Sequence, residues 1–236
     1  MQRARNVVVA ASLFAVLLLA ASGPGTRLGL WDWQAGFSLL KWALYAGLTV
    51  AAIALVMLLI PKTRGPKPSV LVAGMLMGIA AAAPTLSLRS QADSLPKIHD
   101  ITTDTRDPPA FVALADLRKG VPNGANHGGP EIAAAQLKAY PNVQPMLLPM
   151  AQPQAFARAL DTARAMGWEI VASDPATGRI EATATTLWFG FKDDIIVRVV
   201  PQGQASRLDV RSVSRVGRSD IGANARRILE YLSKLT

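Results

Sequence analysis

Three long uncharged runs dominate the first 90 residues of this 236-residue chain, at residues 6–26, 42–61 and 68–88. A helix needs about 20 apolar residues to cross the hydrocarbon core of a bilayer. Leu, Val, Ala, Ile and Met make up most of each run, without the polar face that an amphipathic surface helix carries. The pattern therefore predicts a transmembrane region over residues 1–89, with three helical spans at about 7–22, 42–60 and 69–88.

Positive charge collects beside these runs. Residues 1–89 hold eight basic groups and one acidic group, whereas residues 90–236 hold 17 basic and 15 acidic groups. Lys62, Arg64 and Lys67 lie in the short connection before the third span, on the same side as the amino terminus. Since short basic loops stay in the cytoplasm, we expect the chain to leave the third span in the periplasm, from a bacterial inner membrane. Because the excess of basic residues lies between the apolar runs and not on a folded domain, we expect no nucleic-acid partner.

The first run also permits a second interpretation, as a cleaved signal peptide. Arg3 and Arg5 precede a short apolar stretch, and Ala20–Ser22 offers the small residues of a cleavage site. Residues 90–236 have the same placement in both cases. The runs contain no Asp, Glu or His, which disfavours a proton or ion path through them.

The connection from Gly23 to Leu40 carries Trp31, Trp33 and Phe37. Aromatic side chains of this kind concentrate at the level of the lipid headgroups. We therefore expect this connection to lie along the membrane surface, with membrane lipid as a partner. Pro84 is expected to end or kink the third helix, because proline cannot donate a helix hydrogen bond.

Residues 90–236 show the periodicities of a folded domain. Prolines recur through its first third, so we expect extended chain there with one short helix at Glu131–Ala139. The rest of the pattern predicts a helix, four strands and a final helix, over residues 153–166, 168–172, 179–185, 195–200, 208–213 and 220–235. Ser219 or Asp220 is the expected N-cap of that last helix. This order predicts an α+β domain with an antiparallel sheet of about four strands and two main helices.

Three sequence blocks carry a family resemblance. They read IHDITTDTRDPPAF at residues 98–111, GWEIVASDPATGRIEATATTLWFGFKDDIIVRV at 167–199 and DVRSVSRVGRSDIGANARRI at 209–228. At these blocks the chain closely resembles the bacterial and plastid family known as domain of unknown function 1499, and the similarity covers nearly all of residues 95–236. Members with several amino-terminal spans are similar throughout. The resemblance implies the domain boundary and an envelope location, but no catalytic residue.

The first polar cluster is acidic and contains one of the two histidines of the chain. His99, Asp100, Asp104 and Asp107 lie within nine residues. Carboxylates and an imidazole on irregular backbone can bind a metal ion, which would make the protein a membrane-anchored metal-dependent hydrolase. In the alternative, which the irregular spacing favours, these side chains hydrogen-bond to the backbone of a buried extended segment. No metal site is therefore assigned.

The second polar cluster is basic. Arg211, Arg215 and Arg218 precede Asp220, where the last predicted helix begins. Guanidinium groups beside free helix amides can hold a phosphate or carboxylate headgroup. The competing interpretation is ion pairing with nearby acidic residues, namely Asp193, Asp194, Asp209 and Asp220.

An aromatic string, Trp188, Phe189 and Phe191, permits either core packing or an interaction surface. If it continues a strand, alternation places Trp188 and Phe189 on opposite sides of the sheet. The interaction interpretation, together with the arginines, would make the domain a lipid-handling module.

The chain has no cysteine, and it lacks the common nucleophile, zinc-protease and nucleotide-binding motifs. We therefore expect no cofactor and no catalytic residue. The sequence favours an inner-membrane protein that presents a non-catalytic periplasmic domain. Such a domain would be a binding or accessory component of an envelope or membrane complex, with a membrane or envelope protein as its partner.

Overall fold

The computed structural model describes residues 2–236, which form two compact units. The helical unit contains residues 2–91 together with Leu187–Gly190. The α+β unit contains Ala92–Thr186 and Phe191–Thr236. This confirms the predicted order of long apolar helices followed by an α+β region.

The helical unit has long helices α1 (Gln2–Arg27), α2 (Trp33–Leu59) and α4 (Pro68–Ser94), with the single turn α3 (Pro61–Arg64) between the last two. Each long helix is long and apolar enough to cross a membrane. Close approach is possible because small residues face one another. A Cβ on Gly78 of α4 would lie 2.6 Å from the carbonyl oxygen of Gly47 on α2.

The helices extend further than the predicted spans at two places. The connection from Gly23 to Leu40 is mostly helical, because α1 continues through Pro24 and α2 begins just after Asp32, whose carboxylate accepts the Ala35 N–H at 2.7 Å. Pro84 lies inside α4, which continues to Ser94. A proline removes one helix hydrogen bond, and the bonded turns on both sides keep the helix intact.

The α+β unit is built on an antiparallel sheet, in which the described residues form six strands in the order β1-β6-β5-β4-β3, with β2 also paired to β6. The strands are β1 (Asp100–Thr102), β2 (Met146–Leu148), β3 (Glu169–Asp174), β4 (Arg179–Thr185), β5 (Lys192–Gln202) and β6 (Ala205–Ser214). Sequence periodicity missed β1 and β2 because three residues are too few to show alternation. They pair with separate parts of the long strand β6.

Two helices cover the first face of this sheet, α7 (Gln152–Ala165) and α8 (Ala223–Ser233). Their apolar sides meet alternate residues of the central strands in the main core. Tyr231 of α8 stacks on Trp168 at a centroid distance of 4.8 Å, and its hydroxyl donates to the Ala159 carbonyl at 2.8 Å.

The second face is covered by the segment at residues 103–125, which we call the covering segment. It contains α5 (Ala115–Lys119), and α6 (Gly129–Ala139) follows it, so this third of the unit holds two helices rather than one. Phe111 and Leu114 of the covering segment contact Ile196 and Val213 of the sheet.

The last helix begins later than expected, at Ala223, after Ile221 and Gly222 at positive φ. The N-cap is therefore Gly222 and not Ser219 or Asp220. The Asp220 carboxylate still accepts one helix amide, the Asn224 N–H at 2.7 Å, and it also accepts the Gly222 N–H at 2.9 Å.

Candidate functional site

Charged side chains are concentrated on the second face of the sheet, beneath the covering segment. Side chains alternate along a strand, so each second residue of β4, β5 and β6 points to this face. We call the charged side chains at this face the charged layer. Strands β4, β5 and β6 contribute Glu181, Asp194, Arg198, Arg207, Asp209 and Arg211, and the other members are Asp100 of β1, Asp104 and Arg118 of the covering segment, and Arg215 directly after β6. Since charges are costly to bury without partners, the pairing of these groups decides what the layer can do.

The centre of the layer is a pair with no exposed side-chain surface, Arg118 and Asp194, joined at 2.6 Å. Arg215 donates to the same carboxylate at 2.8 Å, and the Thr183 hydroxyl donates to it at 2.9 Å. Burial alone would raise the pKa of Asp194, but hydrogen bonds from Arg215 and Thr183, with Arg118, hold it below its ordinary value. Asp194 is therefore an ionised structural anchor.

The remaining donors of Arg118 bind the covering segment and strand β6. Its guanidinium donates to the carbonyls of Asn123, Gly124, Val213 and Ser214 at 2.9–3.3 Å. Burial lowers the pKa of Arg118, and the hydrogen bond to Asp194 opposes that effect. The side chain thus fastens the covering segment to the sheet.

A second buried pair joins the two clusters that the sequence keeps far apart. Arg211 of β6 forms a bidentate contact with Asp100 of β1, at 2.9 and 2.7 Å. The Phe111 ring lies beside both buried guanidinium groups, with centroid distances of 5.2 Å to Arg118 and 5.3 Å to Arg211. Cation–π contacts of this kind stabilise desolvated arginines.

The outer part of the layer surrounds Asp209. Arg198 and Arg207 both donate to this carboxylate, at 3.0 and 3.2 Å. Arg207 also pairs with Asp104 at 2.5 Å, and Arg198 with Asp107 at 2.8 Å. These acidic and basic side chains form one connected network.

Asp104 also bonds locally, as the backbone alternative predicted. Its carboxylate accepts the N–H groups of Arg106 and Asp107, each at 3.0 Å. Burial would raise the pKa of Asp104, but these amides and the charge of Arg207 outweigh it, so the pKa is lowered.

Glu181 holds the start of α5. Its carboxylate accepts three successive backbone N–H groups, those of Val112, Ala113 and Leu114, at 2.9–3.0 Å. Sequence reasoning missed both Glu181 and Arg118. Arg118 lies between Asp116 and Lys119, in a pattern typical of an exposed helix, and only the tertiary contacts distinguish it.

The predicted site residues therefore separate into different environments. Arg215 pairs with Asp194, as the ion-pairing interpretation expected, whereas Arg211 pairs with Asp100. Arg218 is exposed and makes no hydrogen bond or ion pair within the described residues. His99 contributes its carbonyl, which accepts the Ser214 N–H at 3.0 Å. A ligand-binding role for any of these residues stays a prediction.

The described acidic residues are not grouped in the way that metal ligands are. Burial raises the pKa of Asp220, although the amides of Asn224 and Gly222 act in the opposite direction. Across residues 2–236, no three His, Asp or Glu side chains are grouped so that they could hold a metal ion. The acidic cluster is engaged instead by arginines and backbone amides.

A cleft of about 360 Å³ lies on the other face of the sheet. Its lining residues are Met166, Gly167, Trp168, Ala184, Thr185, Ala223, Arg226, Arg227 and Glu230. Arg227 is held by Asp193 at 2.5 Å and by Ser212 at 3.0 Å, so its charge is already paired. Arg226 donates to the Ile221 carbonyl at 3.0 Å. The volume is near the lower limit for a small-molecule site.

Comparison with known proteins gives one family match. The profile described as "Protein of unknown function (DUF1499)" matches residues 100–235. Comparison with curated proteins finds no significant match.

Two solved structures are similar to part of the chain. CalU16 from Micromonospora echinospora has 10% identity and a TM-score of 0.29, covering 39% of this chain and 72% of that one. TTHA0849 from Thermus thermophilus has 12% identity and a TM-score of 0.24, covering 39% of this chain and 90% of that one. Similarity this low carries no functional conclusion.

Proposed function

Because the chain belongs to the DUF1499 family, which comes without an assigned activity, we propose its function from its geometry and charge. It is a bacterial inner-membrane protein with three spanning helices that presents a non-catalytic α+β domain to the periplasm. There it acts as a binding or accessory component of an envelope or membrane complex.

The membrane placement is supported by the helices and by the charges between them. Each of α1, α2 and α4 is long and apolar enough to span a bilayer. Lys62, Arg64 and Lys67 lie in the α2–α4 connection, and the α1–α2 connection contains only Asp32 as a charged residue. Basic residues on one side favour a cytoplasmic α2–α4 connection and a periplasmic α+β domain.

The accessory role is carried by one observation, the internal pairing of the charged layer. A general acid or base has to reach its substrate, yet Asp100, Asp194 and Asp209 are buried and bound by arginines. Their charges hold the covering segment on the sheet. The charged layer therefore stabilises the covering segment, and the outer surface of that segment is left available for binding.

The covering segment displays apolar side chains on its outer side. Val112 is 56% exposed and Leu117 is 44% exposed, although neighbouring residues of the segment are fastened by Glu181 and Arg118. A rigid segment with exposed apolar groups is suited to contact with another protein. The expected partner is an envelope or membrane protein.

Site-specific photo-crosslinking in cells tests this role. A photoreactive residue at Val112 or Leu117 of the full chain should form a discrete adduct with a membrane or envelope protein. The matched control is Gln204, which is also exposed but lies in the β5–β6 turn. Equal adducts at all three positions, or adducts at none, would contradict the proposed role of the covering segment.

Topology is tested separately with a reporter that is active only outside the cytoplasm. Fusion after Thr236 should give an active reporter, and fusion after Arg64 should give an inactive one. The reverse result would overturn the orientation and the periplasmic placement.

A further inference from the structure

Four residues of the β4–β5 connection belong to the helical unit, Leu187–Gly190. Phe189 is buried and packs edge-on against Phe37 of α2, with a centroid distance of 5.0 Å. The aromatic string is therefore not part of a strand, so Trp188 and Phe189 do not alternate across the sheet. Its residues lie in a loop because β4 ends at Thr185.

Polar contacts hold this loop at the carboxyl end of α1. The Arg27 guanidinium donates to the Leu187 carbonyl at 2.7 Å, and the Trp188 indole N–H donates to the Ser22 hydroxyl at 3.4 Å. A side chain at Gly23 would collide with the Trp188 ring. The loop is thus held at the end of α1 by two hydrogen bonds and by the close packing of the Trp188 ring on Gly23.

The same end of the helical unit exposes large apolar side chains. Leu187 is 85% exposed, Leu28 73% and Leu30 69%. Trp188 and Phe37 are also partly exposed. We call these five residues the apolar rim. Leu28 and Leu30 follow the end of α1, Phe37 lies in the second turn of α2, and both helices expose further apolar side chains along their length.

We propose that the apolar rim is a membrane contact, in which Leu187 and Trp188 of the extramembrane sequence insert into the interfacial layer of the bilayer beside Leu28 and Leu30. The inference rests on the proposed membrane placement of α1 and α2. Its occupant is lipid, because the rim is continuous with the surface that those helices present to the acyl chains.

The chemistry of the rim matches the interfacial layer. Tryptophan favours this layer because its ring is apolar while its N–H needs a polar partner, and here Ser22 accepts that N–H. Arg27 and Asp32 are the charged residues of the α1–α2 end and cancel each other. The rim therefore presents apolar side chains without a net charge that lipid headgroups would have to neutralise.

The absence of cysteine from the sequence permits a direct test by single-site labelling. Leu187→Cys in the full chain is labelled with an environment-sensitive fluorophore and reconstituted into vesicles of phosphatidylethanolamine and phosphatidylglycerol. Lipids that carry a quencher near the headgroup report contact with the interface, and aqueous iodide reports contact with water. Leu187 is largely exposed, so the substitution removes little packing.

Three labelled controls make the result interpretable. Leu28→Cys tests a second position of the rim. Leu55→Cys lies on the exposed surface of α2, four residues before the carboxyl end of that helix, and Gln204→Cys lies in the exposed β5–β6 turn. We expect the Leu187 and Leu28 labels to lose most of their emission to the lipid quencher and to resist iodide. The Gln204 label should show the opposite behaviour.

Three results would overturn the inference. If the Leu187 label behaves like that at Gln204 while the Leu55 label is quenched by lipid, the rim contact alone is wrong. If the Leu187 label resists both quenchers, protein rather than lipid covers the rim. If the Leu55 label also escapes the lipid quencher, the proposed membrane placement fails together with the rim contact.

Discussion

The two units of this protein bury polar groups in different ways. In the helical unit, the buried Ser12 hydroxyl lies 2.7 Å from the Val8 carbonyl oxygen and 3.0 Å from the Gly74 carbonyl oxygen, so its one O–H has two acceptors within reach, and helices meet through glycine. In the α+β unit, full charges are buried, including Arg118, Asp194 and Arg211. The backbone hydrogen bonds of a helix lie within the helix, so two such helices can pack wherever small residues let them approach. A charged sheet face needs a specific partner for every buried ion.

This difference predicts different weaknesses. Removal of one buried ion leaves its partner uncompensated, which is among the most destabilising single changes. A bundle joined through small residues is sensitive instead to added volume. Substitutions in each unit can therefore separate the two modes of packing.

The largest effect is expected at the centre of the charged layer. Asp194→Ala removes the carboxylate that pairs with Arg118 and Arg215, and it should destabilise the α+β unit by about 3–5 kcal/mol. Pulse proteolysis of the full chain in mild detergent, over a series of urea concentrations, measures this change.

A matched exposed pair provides the control. Asp116 pairs with Lys119 at 2.7 Å, but their side chains are 89% and 78% exposed. Asp116→Ala should leave the urea midpoint unchanged because exposed ion pairs contribute little. Similar losses of stability in Asp194→Ala and Asp116→Ala would mean that burial does not determine how much an ion pair contributes to the stability of this unit.

The next effect concerns the helical unit. Gly78→Leu should push α4 away from α2, because even a Cβ at this position would lie only 2.6 Å from the Gly47 carbonyl oxygen. We expect the stability of the helical unit to fall by about 1–3 kcal/mol. The measurement is the loss of helicity on heating in detergent. Ala80→Leu, on the exposed side of the same helix, should have no such effect. Equal tolerance of both leucines would refute the glycine contact.

The third effect is a dependence on pH. The folded-state pKa values of Asp104 and Asp194 are lowered, so their stabilisation is present above the unfolded value of about 3.9 and is lost as the pH falls through the folded values. Asp220 has a raised pKa and acts with the opposite sign, favouring the folded state at low pH.

The pKa of partly exposed Asp174 is also lowered, by hydrogen bonds from Thr177. Three carboxylates with a lowered pKa against one with a raised pKa predict a net fall in melting temperature on acidification. Asp194→Asn should make that fall shallower, since it removes the buried one of the three groups responsible. Asp161→Asn, at an exposed carboxylate, should keep the wild-type profile. An unchanged profile in Asp194→Asn would show that this carboxylate does not couple folding to protons.

The smallest effect is expected at the edge of the layer. Asp107 and Asp209 both pair with Arg198, but their side chains are 80% and 1% exposed. Asp107→Ala should change stability by no more than about 1 kcal/mol, and Mg²⁺, Zn²⁺ or a chelator should leave the melting temperature unchanged. A rise with added cation that Asp107→Ala abolishes would restore the metal-site hypothesis.

The anion hypothesis for the basic cluster can be tested in the same assay. Phosphate should stabilise the chain no more than an equal ionic strength of chloride, because Arg211 and Arg215 are already paired. Stabilisation specific to phosphate and lost in Arg218→Ala would support a ligand site at the remaining exposed arginine.

Long-period patterns in the sequence were sufficient for the coarse architecture. The uncharged runs predicted three apolar helices, and alternation predicted β4 with the bounds that the structure has, Arg179–Thr185. The helix at Pro153–Met166 was predicted within one residue of α7. These elements repeat one kind of residue at a fixed spacing, so neighbouring positions reinforce the same conclusion.

Short elements and charge pairs could not be obtained in that way. Strand β1 has three residues and exists because it pairs with β6. Glu181 and Arg118 look like ordinary charged positions, and their burial follows from the covering segment lying on the sheet. In the sequence the two polar clusters look like separate sites, whereas the Asp100–Arg211 pair joins them across more than half of the α+β unit's sequence.

The sequence by itself determined which segments are apolar, where they end in charge, and which stretches alternate like strands, because these properties depend on residues that are close along the chain. The tertiary structure alone decided which charges are buried, which arginine meets which carboxylate, and that residues 187–190 belong with the helices. Those outcomes depend on contacts between residues far apart in sequence, where a carboxylate is stable inside the protein only if folding brings a specific cation within hydrogen-bonding distance.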